Sequence, residues 1–161
     1  NVLNALIELI RIFNIVIKKR NLTMIEKFNN IFYLIIYLAH FAGVGMYAFQ
    51  TIINTKKFMK KFGIDKSGAI AVRFAGAFLL AVFLMSIYVG FVRPGGLNAT
   101  WAFFNIVFIN NLCILLCNYY SIKIDKTGVN KKISMEPIYG PLAFTIMSAV
   151  LCYGLADKIY V

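Results

Sequence analysis

The chain predicts an all-α integral membrane protein: a four-helix transmembrane bundle preceded by an N-terminal amphipathic interfacial helix. Three observations carry that prediction. Of its 161 residues 61% are hydrophobic and 14% charged, with a mean hydropathy of +0.77; a soluble domain has about 45–50% apolar and about 25% charged residues. The charges lie between long apolar runs, each able at about 1.5 Å per residue to cross a hydrocarbon core of about 30 Å. One of those runs, residues 31–53, also carries a line of hydrogen-bonding residues down one face.

Residues 2–18 come first. Their polar members Asn4, Glu8, Arg11, Asn14 and Lys18 recur every three or four positions, a narrow stripe on a helix. Seventeen residues cover about 25 Å, and a spanning placement would put Glu8 and Arg11 at the centre. The segment therefore reads as an interfacial helix, with Glu8 and Arg11 close enough to pair. Lys18, Lys19 and Arg20 end it, and a polar connector follows to residue 29, so 1–30 separates from a four-helix domain at 31–161.

In the first span, Asn30, Tyr33, Tyr37, His40, Val44, Tyr47, Thr51 and Asn54 are spaced 3, 4, 3, 4, 3, 4, 3. On a helix they share one face. All but Val44 can hydrogen-bond, so this seam should meet protein and not lipid. Residues 54–67 read as a basic loop of net charge +4, with Ser67 as N-cap of the second span at about 68–91. That span's small residues Gly68, Ala71, Ala75, Gly76, Ala77 and Ala81 mark it as the helix packed on the seam. Arg93-Pro94-Gly95-Gly96 makes a turn, and Asn98 or Thr100 caps the third span, about 99–121. A loop of net charge +2 leads to Pro137 in the first turn of the fourth span, about 138–159. The loops at 54–67 and 122–137 share one side. Counts of nine and seven Lys and Arg on the two sides leave orientation open.

His40, the chain's single histidine, falls near mid-membrane and is the sharpest candidate for chemistry. A buried imidazole can hydrogen-bond a quinone carbonyl or serve in a relay. A haem is disfavoured, because its usual axial pair would need a second histidine. The plain alternative is a histidine hydrogen-bonded to Asn110, Asn111 or a tyrosine of the third span. Tyr33, Tyr37, His40, Tyr47, Asn110 and Asn111 are thus the candidate seam or ligand contacts. Asn105, Asn110, Asn111 and Asn118 read as interhelical glue before they read as a binding site. Arg73, one turn inside the second span, is placed to meet a lipid headgroup or to pair with Glu136. A metal site would need His40 and Cys152 to converge on Cys113 and Cys117, and none is expected; the cysteines read as small buried hydrophobes. No other cofactor is expected unless a quinone or lipid lies on the seam.

A net charge of +11 would raise nucleic acid in a soluble protein. Here most Lys and Arg flank apolar runs, where they meet lipid headgroups, and no nucleic-acid partner is expected. The chain has no Walker A loop, GxGxxG, HExxH, CxxC or nucleophile elbow, and no visible internal repeat. These absences weigh against an enzyme and against a transporter.

Lys61-Phe62-Gly63-Ile64-Asp65, followed by Ala71-Val72-Arg73-Phe74-Ala75-Gly76-Ala77-Phe78-Leu79-Leu80, resembles the DoxX-like group of small four-helix membrane proteins. The resemblance covers about twenty residues. It implies a four-helix fold and, because functions in that group are diverse, no particular activity.

The expected role is a non-catalytic accessory or structural subunit of a larger membrane complex, its partners being lipids and other membrane subunits. The alternatives are a free-standing lipid- or quinone-interacting protein using His40 and the seam, and a small transporter. A bacterial cytoplasmic membrane and an organellar one, such as the mitochondrial inner membrane, fit equally.

Overall fold

The computed structural model describes residues 11, 24–126 and 134–161. Apart from Arg11, the interfacial helix expected at 2–18 lies outside the described residues, as does its Glu8. Among the described residues the fold is all-α, with four helices long and apolar enough to cross a membrane. These are α1 (Ile31–Ile52), α3 (Ala69–Ile87), α4 (Trp101–Tyr119) and α5 (Glu136–Gly154); α2 (Thr55–Phe62) and α6 (Ala156–Ile159) are short. A 3₁₀ turn at Lys66–Gly68 leads into α3, and π-helical turns at Tyr88–Val92 and Tyr120–Asp125 extend α3 and α4.

Each boundary has a local cause. The Asn30 side chain accepts the Phe32 and Tyr33 N–H groups at 2.9 and 3.2 Å and starts α1. Gly63, at φ 65°, ends α2 in the left-handed conformation that glycine adopts without a Cβ penalty. Pro137 sits in the first turn of α5, where its missing N–H costs nothing. The fourth span stops at Gly154, short of the expected 159, because Leu155 leaves the helix before α6 begins.

Three expectations are corrected here. Residues 54–67 are not simply a loop, since α2 occupies most of them and buries Thr55, Met59 and Phe62 on one face. The cap before the second span is Asp65: its carboxylate accepts from the Ser67 N–H and hydroxyl at 2.9 and 2.8 Å. Thr100 holds the N-cap position of α4, but its hydroxyl donates back to the Leu97 carbonyl and caps nothing.

Those two Ser67 donors hold the Asp65 carboxyl below the ordinary carboxylate range. A depressed folded-state value means the cap is fully formed above the ordinary range and is lost as pH falls through the depressed value. Ser67→Ala is expected to move the Asp65 midpoint part of the way back up in an NMR titration.

α1 is the organising helix. It packs along α3 on one side and α5 on the other, while α4 packs along α5 and reaches α1 through side chains. Phe41 stacks on Phe103, with ring centres 5.6 Å apart, and Tyr37 lies 6.2 Å from Phe104. Phe28, from the connector read as polar, is fully buried beneath Tyr37, with ring centres 4.7 Å apart. Asn29 ties that connector to the far end of the chain, donating to the Gly154 carbonyl at 2.9 Å and to Asp157 at 2.6 Å.

Candidate functional site

The polar line on α1 is divided among the other three spans. Tyr37 faces α3: its hydroxyl donates to the Ser86 carbonyl at 2.6 Å. Gly90 makes room for it, since a Cβ there would stand 2.9 Å from the hydroxyl oxygen. Thr51 also faces α3, at Gly76, while its hydroxyl bonds the Tyr47 and Ala48 carbonyls of its own helix at 2.8 and 3.0 Å. Tyr33 lies with its ring against Gly154 at the end of α5. Tyr47 faces the start of α5 and donates to Glu136 at 2.9 Å.

His40 is at the centre and fully buried. Asn111 Nδ2 of α4 lies 3.0 Å from His40 Nε2, 3.3 Å from the Ser148 hydroxyl and 3.4 Å from the Phe144 carbonyl of α5. A backbone carbonyl can only accept, so the Asn111 nitrogen is a donor and His40 Nε2 accepts from it. The Ser148 hydroxyl in turn donates to the Phe144 carbonyl at 2.7 Å. One amide thereby joins α1, α4 and α5 at mid-depth. The Phe41 and Phe144 rings flank the imidazole at 4.6 and 5.3 Å, sealing this joint in apolar surface. The remaining imidazole atom, Nδ1, then carries the proton, and among the described residues it has no partner.

The second span, expected as the helix packed on the seam, meets only part of it. α3 takes Tyr37 and Thr51, whereas His40 and Tyr47 turn to α4 and α5. Of the second span's small residues, Gly76 is buried against α1, but Ala71, Ala75, Ala77 and Ala81 are exposed on other faces. The pairing of Arg73 with Glu136 is also corrected. Glu136 is bound by Lys61, at the end of α2, as well as by the Tyr47 hydroxyl. Arg73 stays exposed and its Nε donates to Thr55 at 3.3 Å. Lys61 meets Glu136 from the end of α2, which packs against α1 and α3 through Thr55, Met59 and Phe62; its signal was the 4-then-3 spacing of those three residues between lysines.

Of the two adjacent asparagines, Asn111 is buried and Asn110 is exposed. Neighbouring residues on a helix point about 100° apart, so only one of them can enter the seam. Asn118 donates to the Pro137 carbonyl at 2.7 Å, and Asn105 accepts from the Tyr160 hydroxyl at 3.0 Å. Cys113 and Cys117 are exposed on α4, while Cys152 faces the Phe104 carbonyl. The thiols thus do not gather around His40, and no group of metal-ligand side chains forms among the described residues.

Two open cavities lie away from the seam. One of about 270 Å³ lies between the connector and the 94–98 turn, beside Lys27 and Lys158. The other, of about 390 Å³, is an outer groove between α4 and α5 lined by Phe108, Cys152 and Tyr153. No protein-family model, curated protein or solved structure matches this chain.

Proposed function

We propose that this chain is a non-catalytic accessory or structural subunit of a larger membrane complex. The observation that supports it most is how the seam's polar groups are used. Tyr37, Thr51 and Ser148 spend their hydrogen bonds on helix carbonyls, Tyr47 on the Glu136 carboxylate, and Asn111 on His40 and Ser148. That arrangement fixes helices and leaves little for a substrate. Arg73 and the lysines of α2 fit contact with lipid headgroups at one membrane face.

Extraction in mild detergent, size separation and mass spectrometry of co-migrating chains test this reading. The expected result is stoichiometric travel within a larger complex. A chain that runs alone, or only with copies of itself, overturns it.

A second reading is favoured by one atom. The buried Nδ1–H of His40 has no acceptor among the described residues, and a quinone or lipid carbonyl would supply one. In that reading His40, with Tyr37 and Asn111 beside it, is the ligand contact. Loss of a co-purifying small molecule on His40→Ala supports it, and an unchanged extract rejects it.

A further inference from the structure

Asn110 poses a problem that the seam does not solve. It lies at the depth of His40, because its neighbour Asn111 bonds the imidazole directly. Its side chain is exposed on the outer face of α4 and has no hydrogen-bond partner among the described residues. In hydrocarbon an unpaired carboxamide is costly, and a partner across a helix interface relieves that cost.

We propose that the outer face of α4 is where a second copy of this chain packs, with Asn110 pairing to Asn110 across a two-fold axis along the membrane normal. A carboxamide carries both a donor and an acceptor, so two copies satisfy each other with a reciprocal pair of bonds. Two-fold symmetry also sets each Asn110 at the same depth as its mate without further adjustment. A different partner would have to bring its own polar group to that level.

The surrounding face suits close approach. Ile106, Asn110, Cys113, Cys117 and Tyr120 repeat at spacings of 4, 3, 4, 3, and all are exposed. That is the seven-residue periodicity of a packed helix pair. Ala102, Cys113 and Cys117 are small, letting the backbones come together on both sides of Asn110. Cys113 and Cys117 follow Asn110 by three and seven residues and share its face. The proposal does not depend on the subunit reading, since a pair can sit inside a larger complex or outside one.

The native thiols make the test direct. The whole chain is reconstituted in liposomes and oxidised with copper phenanthroline, which takes two electrons and two protons from a thiol pair to form a disulfide. A short bismaleimide covers sulfur separations too long for a disulfide. The expected product is a covalent dimer joined through Cys113 or Cys117, absent from the C113S/C117S variant that retains Cys152. Energy transfer between labelled copies should show N110L associating about tenfold more weakly, while its unfolding stays like that of the unsubstituted chain because the side chain faces outward. No cross-linked dimer, or an N110L chain that associates undiminished, overturns the proposal. Co-migration of other chains tests the subunit reading separately, so the two can fail independently.

Discussion

Gly76→Val should lower the stability of the bundle by about 3 kcal/mol, near the upper end of overpacking costs. Gly76 is the point at which the backbones of α1 and α3 come together. A Cβ there would stand 2.3 Å from Thr51 Oγ1, 2.8 Å from Ile52 Cγ1 and 3.0 Å from Thr51 Cβ. Neither neighbour can step aside cheaply. The Thr51 hydroxyl is tied to two carbonyls of its own helix, and Ile52 is β-branched with a stiff χ1. The helices must separate, and the Tyr37 bond to Ser86 lies on the same interface. Ala77→Val, one residue on but exposed, is the control and should fall within about 0.5 kcal/mol. Detergent-to-SDS unfolding of both variants makes the comparison; equal losses would show that close approach at Gly76 is not what holds α3.

His40→Ala should cost about 2–4 kcal/mol, the range for opening a cavity in a packed core. The fully buried imidazole fills the space between the Phe41 and Phe144 rings, and its removal also takes the nearest acceptor from Asn111. Combining it with Asn111→Leu isolates the hydrogen bond. The two losses should be coupled by about 0.6 kcal/mol and by no more than about 1.7 kcal/mol, the average and the maximum measured for interhelical polar pairs in a membrane protein. Simple additivity would mean that the contact is a packing neighbour and nothing more.

Much of this architecture is legible in the sequence, for physical reasons that differ from residue to residue. Long apolar runs must be helical in lipid because each backbone group has to be satisfied within its own segment. The polar line from Tyr33 to Thr51 is visible because it contrasts with an apolar helix. Which neighbour meets each polar residue is not visible in the same way. α4 carries asparagines on several faces, so periodicity cannot choose Asn111 over Asn110; their difference exists only once α1 and α5 are in place. The Ser86 main-chain carbonyl that accepts from Tyr37 leaves no mark in the sequence, and Ser148, which accepts from Asn111 beside His40, has no charge or motif to draw attention. Lys61 was hidden by reading a run of lysines as a loop, although Thr55, Met59 and Phe62 keep helical spacing among them. Asp65 displaced Ser67 as cap because a carboxylate two residues earlier can collect both the N–H and the hydroxyl of that serine.

The seam as a closed structural joint is tested most directly at its single histidine. ¹⁵N-histidine labelling of the chain yields one imidazole, so its two ring nitrogens can be read without assignment in liposomes by solid-state NMR. The expected spectrum is one tautomer, with the proton on Nδ1 and Nε2 accepting from Asn111, and Asn111→Leu should shift the Nε2 signal. A proton on Nε2, or ring signals that change when lipid or quinone is added, would mean that the joint is open to a ligand and that the bundle's polar centre is a binding site.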